Sequence, residues 1–252
     1  MTGLELLKER HSVRSYSSEP LEDAVRNRLR SEVTYINSHE AGLNLQLCFD
    51  DDGPFKGFSR SYGMFRNVYN YLAVVIDPTF PDAYERAGYF SEQFAIECVK
   101  AGLGSCFVGG TFSREYISAQ VEVYEKVPYV MAFGIPETSK TTFMGKFTAK
   151  MAHRKIRAPR DFFDGTDSEY KAALAEFPWL ITALEAVACA PSALNKQPVR
   201  LHVIESEGIK HIAAKTIDPE KYAVELGIAK FNVATTVSGV WDWGDGGIFY
   251  CD

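Results

Sequence analysis

Apolar residues recur along this chain in two alternating rhythms. Leu4 and Leu7 share one side of a short opening helix, started by a capping box of Thr2 with Glu5 and running out near Arg10. Ser17-Ser18-Glu19-Pro20 is expected to start a second helix with Pro20 in its first turn, and Leu21, Val25 and Leu29 recur at i, i+4 and i+8 on one buried face. Leu45 to Phe49 alternates as a strand does. Tyr71 to Ile76 is an unbroken apolar run, the mark of a strand covered on both faces. Residues 85–101 return to helical spacing, with Phe90, Phe94, Ala95, Cys98 and Val99 on the apolar side and Gly102 placed to end the helix. Another buried strand is expected over 127–135.

From Trp179 the order repeats in reduced form. Trp179 to Ala190 reads as a helix, a proline-bearing loop follows, and Val199 to Ile204 alternates as a strand. Tyr222 to Ser238 is a long, largely apolar helix with Val224, Ile228, Phe231 and Ala234 on one side. Gly239 follows it, and Trp241 to Tyr250 supplies a last extended segment. Ala87–Gly102 and Val224–Gly239 read as one element used twice.

A chain of 252 residues can bury a full core, as one large domain or two small ones. Its 46% apolar and 24% charged residues are those of a globular protein. A net charge of −6 argues against a general nucleic-acid binder. No apolar run is long enough to span a bilayer, and the N-terminus lacks a basic segment followed by an apolar one, so neither membrane anchor nor signal peptide is expected. Five scattered cysteines without a Cys-x-x-Cys pair suit a reducing cytoplasm. Neither they nor the five histidines show metal-ligand spacing.

Several stretches carry candidate chemistry. Arg10-His11-Ser12-Val13-Arg14 sets two guanidiniums, a hydroxyl and an imidazole within five residues. That makes a good anion clamp, because arginine offers phosphate a planar fork of donors; a solvated basic patch has the same letters. Gly102 to Gly110 is no dinucleotide fingerprint, since Phe107 stands at the third glycine position and a helix precedes it. Lys140 to Arg160 holds Lys140, Lys146, Lys150, Arg154, Lys155, Arg157 and Arg160 without an acid, and reads as a basic connector. Between Ala190 and Arg200, Pro191 and Pro198 exclude a helix interior. This helix–loop–strand junction carries Ser192, Asn195 and Gln197, which can hold a flat, polar-edged ligand without supplying charge; an ordinary Pro- and Ser-rich turn looks the same. Phe55, Phe58, Tyr62 and Phe65 read either as a lid over a substrate or, by preference, as a loop anchored by core aromatics.

Arg-His-Ser-x-Arg after a short N-terminal helix, together with Pro-Ser-x-x-Asn-x-Gln-Pro, resembles the FMN-dependent nitroreductase family. The resemblance implies an α+β fold with a central antiparallel-type sheet and helices around it. It implies FMN, with Arg10, His11, Ser12 and Arg14 on the phosphate and ribityl chain, and Lys155 and Arg157 as the family's Lys-x-Arg. Gly109 and Gly110 would pass beside flavin N5; Pro191, Ser192, Asn195 and Gln197 would bind the ring edge, with Arg200 nearby. Val199 stands where many relatives carry an aromatic residue. In the family the second motif follows the first by a few tens of residues, whereas here residues 37–44 hold no match and the motif arrives nearly two hundred residues late. The clamp, the glycines and Lys-x-Arg thus fall in a first half, 1–160, and the loop in a second, 161–252. That division implies a fused pseudo-dimer: two related halves, one chain, one FMN, and a monomer in solution. The implied activity takes hydride from NAD(P)H and passes it through flavin N5 to a small acceptor of nitro or quinone type, with no side chain as acid or base. A flavin-binding or storage protein without turnover stays open, as does another flavin reaction such as reductive dehalogenation or flavin fragmentation.

Overall fold

The computed structural model describes residues 1–57, 63–137 and 157–251. The chain divides into two compact units. The first comprises Glu9–Ala83 and Gln93–His153; the second comprises Met1–Lys8, Tyr84–Glu92 and Arg154–Asp252. The opening helix α1 (Gly3–Glu9) has the expected capping box, with Thr2 N donating to Glu5 Oε2 at 2.7 Å and Glu5 N to Thr2 Oγ1 at 3.3 Å.

In the first unit, helix α2 (Asp23–His39) buries Leu29, Val33 and Ile36. It starts later than Pro20 suggests because Glu22 is still extended, at φ −60° and ψ 146°. Strands β1 (Leu43–Cys48) and β2 (Asn70–Ile76) precede helix α3 (Ala83–Lys100), and β3 (Gly104–Val108) and β4 (Val130–Gly134) follow it. The sheet order is β1-β2-β4-β3, with every pair antiparallel. The two central strands, β2 and β4, are buried along their whole length, as the unbroken apolar runs require. On this sheet Phe94 of α3 meets Phe133 at 5.4 Å between ring centroids.

The second unit holds α4 (Asp167–Glu176), α5 (Leu180–Cys189), β5 (Val199–Ser206), β6 (Ile209–Thr216), α6 (Pro219–Thr236), β7 (Gly239–Trp241) and β8 (Gly247–Cys251). Its sheet order is β5-β6-β8-β7, again antiparallel throughout. Each sheet therefore shows the same two strands, long helix, two strands succession with the same strand order. Helix α4 and strand β6 escape the apolar pattern, though each has a local signal. Thr166 and Glu169 form a capping box before α4. Glu207 and Gly208, at φ 55° and 77°, make the two-residue turn that joins β5 to β6 as a hairpin. The last extended segment is two strands rather than one.

Helix α6 is buried nearly all round, not on the single face its apolar letters suggest; even Lys230 is fully enclosed. Its crossing with the N-terminal half of α3 is close. A Cβ on Gly88 would lie 2.0 Å from Val224 O, and one on Gly227 would lie 1.8 Å from Glu85 O. Each glycine thus faces the residue three before the other. Among the described residues no single helix is long and apolar enough to cross a membrane.

Candidate functional site

The clamp segment is extended backbone laid beside β3. Ser12 pairs in parallel with Ser105, and Val13 N donates to Ser105 O at 2.9 Å. Further along, Arg66 N donates to Arg14 O at 2.9 Å and Tyr16 N to Arg66 O at 3.1 Å. Tyr16, buried, anchors the segment by donating its hydroxyl to Val13 O at 2.6 Å. Val13 and Ser15 are buried, which leaves Ser12 and Arg14 together on the other side, as alternation in an extended chain dictates. Their direction is visible at the Cys106 thiol. Burial pushes that thiol up, while the Arg14 guanidinium, a hydrogen bond with Ser12 and the Arg10 guanidinium pull it back. Two guanidiniums and a hydroxyl therefore lie around the Cys106 thiol. His11 does not join them: its Nδ1 lies 2.9 Å from Glu9 O, and with Val13 and Gly104 it lines a separate cavity of about 110 Å³.

Beside the clamp lies a cavity of about 340 Å³, lined by Phe55, Lys56, Phe65, Arg66 and Asn67 among others. Its placement follows from the backbone bonds of Arg66 with Arg14 and Tyr16. Asn67, at φ 52°, donates Nδ2 to Tyr16 O at 3.1 Å and so ties the cavity wall to the clamp. Phe55 is buried and meets Phe65 at 5.4 Å, so these two act as anchors of the loop; Phe58 and Tyr62 lie outside the described residues. The near wall is pinned by Asp51, which accepts from Tyr71 Oη at 2.6 Å, Ser118 Oγ at 2.8 Å and Gly53 N at 2.8 Å. Burial works against the Asp51 carboxylate, but these bonds hold it below its ordinary value. Lys56, Arg66 and Asn67 carried no signal in the sequence, because a lone cation or amide in a glycine-bearing loop has no pattern.

Gly109 and Gly110 follow directly on β3, beyond the stretch paired with the clamp. Among the described residues they alone, as glycines, have neither a positive φ nor any atom within 4 Å of an added Cβ. Packing and backbone geometry therefore give no reason for glycine at these exposed positions. Arg114 Nη2 donates to Gly109 O at 3.4 Å and to Pro128 O at 3.3 Å, a brace that sequence reading missed.

In the second unit the Pro191–Pro198 loop is internally bonded. Gln197 N donates to Ser192 Oγ at 2.8 Å, and Gln197 Nε2 to Ala188 O at 3.4 Å. Leu194, Asn195 and Gln197 are left-handed, at φ 53°, 51° and 49°. Pro191, Gln197 and Glu225 line a small cavity of about 10 Å³ there. Arg200 donates to Gln197 O at 2.8 Å. Its guanidinium is pushed down by burial and then by the like charge of Arg157, which places Arg157 near this loop's end, in the same unit. Lys155 lies outside the described residues, as do Lys140, Lys146, Lys150 and Arg154. Arg160 is engaged with Phe163 O, Gly165 O and Asp167, a structural role. No group of His, Cys, Asp and Glu suited to a metal ion occurs among the described residues.

Residues 3–237 match the family described as "Putative TM nitroreductase", and the chain belongs to that family. The structure of a "putative nitroreductase" from Thermotoga maritima superposes over 99% of this chain and 92% of that one, at 20% identity and a TM-score of 0.61. The fold is accordingly the α+β fold of nitroreductases. Shorter chains align with part of it. A nitroreductase family protein from Clostridium difficile is 16% identical over 56% of this chain and 88% of that one, at a TM-score of 0.45. A nitroreductase with bound FMN from Bacteroides fragilis is 18% identical over 56% and 91%, at 0.42. No curated protein matches the chain.

Proposed function

We propose that this protein is an FMN-dependent oxidoreductase that uses NAD(P)H to reduce a small acceptor of nitro or quinone type. The observation that carries the reading is the clamp segment with Arg10, Ser12 and Arg14, paired through Arg14 O to Arg66 in the wall of a cavity of about 340 Å³. The residues present fit the cofactor. Two guanidiniums and a hydroxyl match a phosphate group, which arginine binds through paired N–H donors. The cavity is within the usual size range for ligand sites, and it has aromatic and amide walls. Gly109 and Gly110 leave room for close approach where no protein atom needs it.

When bound, the flavin supplies two-electron hydride chemistry between nicotinamide and acceptor. The chain's own part is binding and orientation. Arg10, Ser12 and Arg14 hold the phosphate and ribityl chain, and the family motif adds Lys155 and Arg157. Arg114 holds the Gly109 carbonyl, which sets the direction of the glycine backbone. On the motif, Ser192, Asn195 and Gln197 serve the ring edge. The fused pseudo-dimer belongs to the same proposal; the identical strand order of the two sheets and the reciprocal Gly88 and Gly227 contacts support it.

The test is the visible spectrum of the purified protein with released flavin counted per chain, followed by bleaching with NADH or NADPH. The expected result is close to one FMN per chain, bleached by a nicotinamide donor and restored by a nitro or quinone acceptor. No flavin bound even after FMN is added would overturn the reading; flavin that no donor bleaches would leave a binding protein.

A further inference from the structure

The Pro191–Pro198 loop is bent in a way its residues resist. Of the seven non-glycine residues with positive φ among the described residues, three lie here: Leu194, Asn195 and Gln197. In that region a Cβ crowds the following carbonyl; asparagine tolerates it, leucine and glutamine less so. The loop's internal bonds, Asn195 N to Ser192 O at 2.9 Å, Lys196 N to Ala193 O at 3.2 Å and Gln197 N to Ser192 Oγ at 2.8 Å, would travel with it if it swung. Among the described residues, two side chains from other elements tie it down, beside the bond from Gln197 Nε2 to Ala188 O of α5 at 3.4 Å. Glu225 of α6 accepts from Ala193 N at 3.2 Å through Oε1. Arg200 of β5 donates to Gln197 O at 2.8 Å and Val199 O at 2.6 Å, its guanidinium 5.5 Å from the Phe162 ring centroid. Each end of the strained stretch is thus held by a different element. Strained backbone persists only where its surroundings over-determine it.

We propose that Glu225 is a positioning residue which, with Arg200, holds this loop in its left-handed shape before any ligand arrives. The loop's affinity for its ligand then depends on an acceptor oxygen acting through the Ala193 backbone, because a loop already shaped pays no ordering cost on binding. The part of the proposal that concerns ligand affinity rests on the flavin reading above.

Glu225→Ala and Glu225→Gln test it, compared by limited trypsin cleavage after Lys196, by FMN affinity and by thermal midpoint. Glu225→Ala should speed cleavage after Lys196 and weaken FMN binding, each about tenfold, at a nearly unchanged midpoint, the size expected for losing one hydrogen bond. Glu225→Gln keeps an acceptor oxygen and should behave as wild type in all three. Wild-type cleavage in Glu225→Ala, faster cleavage with undiminished FMN affinity, or equal damage in Glu225→Gln would each overturn the proposal. Should the wild-type protein bind no FMN, the flavin reading fails. The cleavage rates of the two variants then still decide whether Glu225 shapes the loop.

Discussion

Replacing Lys230 with methionine tests the energetics of the second unit most directly. The Lys230 side chain is fully buried, and Nζ is held by Glu85 Oε1 at 2.5 Å, Asp242 O at 2.9 Å and Gly244 O at 2.8 Å. Glu85, only 3% exposed, also accepts from Gly244 N at 2.8 Å. The ammonium thus has all three of its protons satisfied, and both carboxylate oxygens are engaged. Methionine fills similar volume but strands a carboxylate in a dry interior, where water cannot replace the lost partner. Breaking a buried pair from one side costs about 3–5 kcal/mol. For a chain of this length that corresponds to a fall in thermal midpoint of roughly 10 °C. Urea and thermal unfolding followed by far-UV circular dichroism measure it. Adding Glu85→Gln to Lys230→Met removes the stranded charge and should recover about 2 kcal/mol. A Lys230→Met midpoint within about 1 kcal/mol of wild type would refute the reasoning, because the network would then contribute no more than an exposed ion pair does.

Gly227→Ala and Gly88→Ala place a Cβ 1.8 Å and 2.0 Å from a carbonyl oxygen. Each should lose more than about 2 kcal/mol in urea unfolding, whereas Gly110→Ala, which meets nothing within 4 Å, should unfold as wild type. Asn195→Ala should weaken FMN binding as severely as Arg10→Ala, by about tenfold or more in a flavin-fluorescence titration; undiminished affinity in Asn195→Ala would sink the shared role of the two motifs. Burial, and then Lys215, depress His202 below the ordinary histidine value of 6.5, against the pull of Asp164. The unfolded chain therefore takes up a proton that the folded one resists, and the stability tied to this group is complete above 6.5 and lost as pH falls below it. His202→Asn should flatten the change in urea midpoint between about pH 7.5 and about pH 5.5; an unaltered slope would exclude His202 as its source.

What the sequence by itself determined is what short-range chemistry encodes. The capping box of Thr2 and Glu5, the apolar run of β2 and the helical spacing of α3 each depend on residues a few positions apart, so they read correctly from letters alone. That Ser12 and Arg14 share one side follows once the segment is extended, which the structure shows and the letters did not state. Helix α4 and strand β6 went unread, because their apolar pattern is weak and only Thr166 with Glu169 and Glu207-Gly208 mark them locally. Tertiary structure alone decided the rest. Nothing local marks Lys230 as buried, because its partner Glu85 is 145 positions away. Nothing local separates Gly88 and Gly227, which a neighbouring carbonyl requires, from Gly109 and Gly110, which nothing in the described chain requires. Nothing local bends Leu194 and Gln197 into the left-handed region, and a loop that its own residues disfavour must be held by side chains such as Glu225 and Arg200. Propensity, capping and periodicity act within a turn or a pleat of the chain. Close approach, burial of charge and backbone strain exist only once distant segments have packed together.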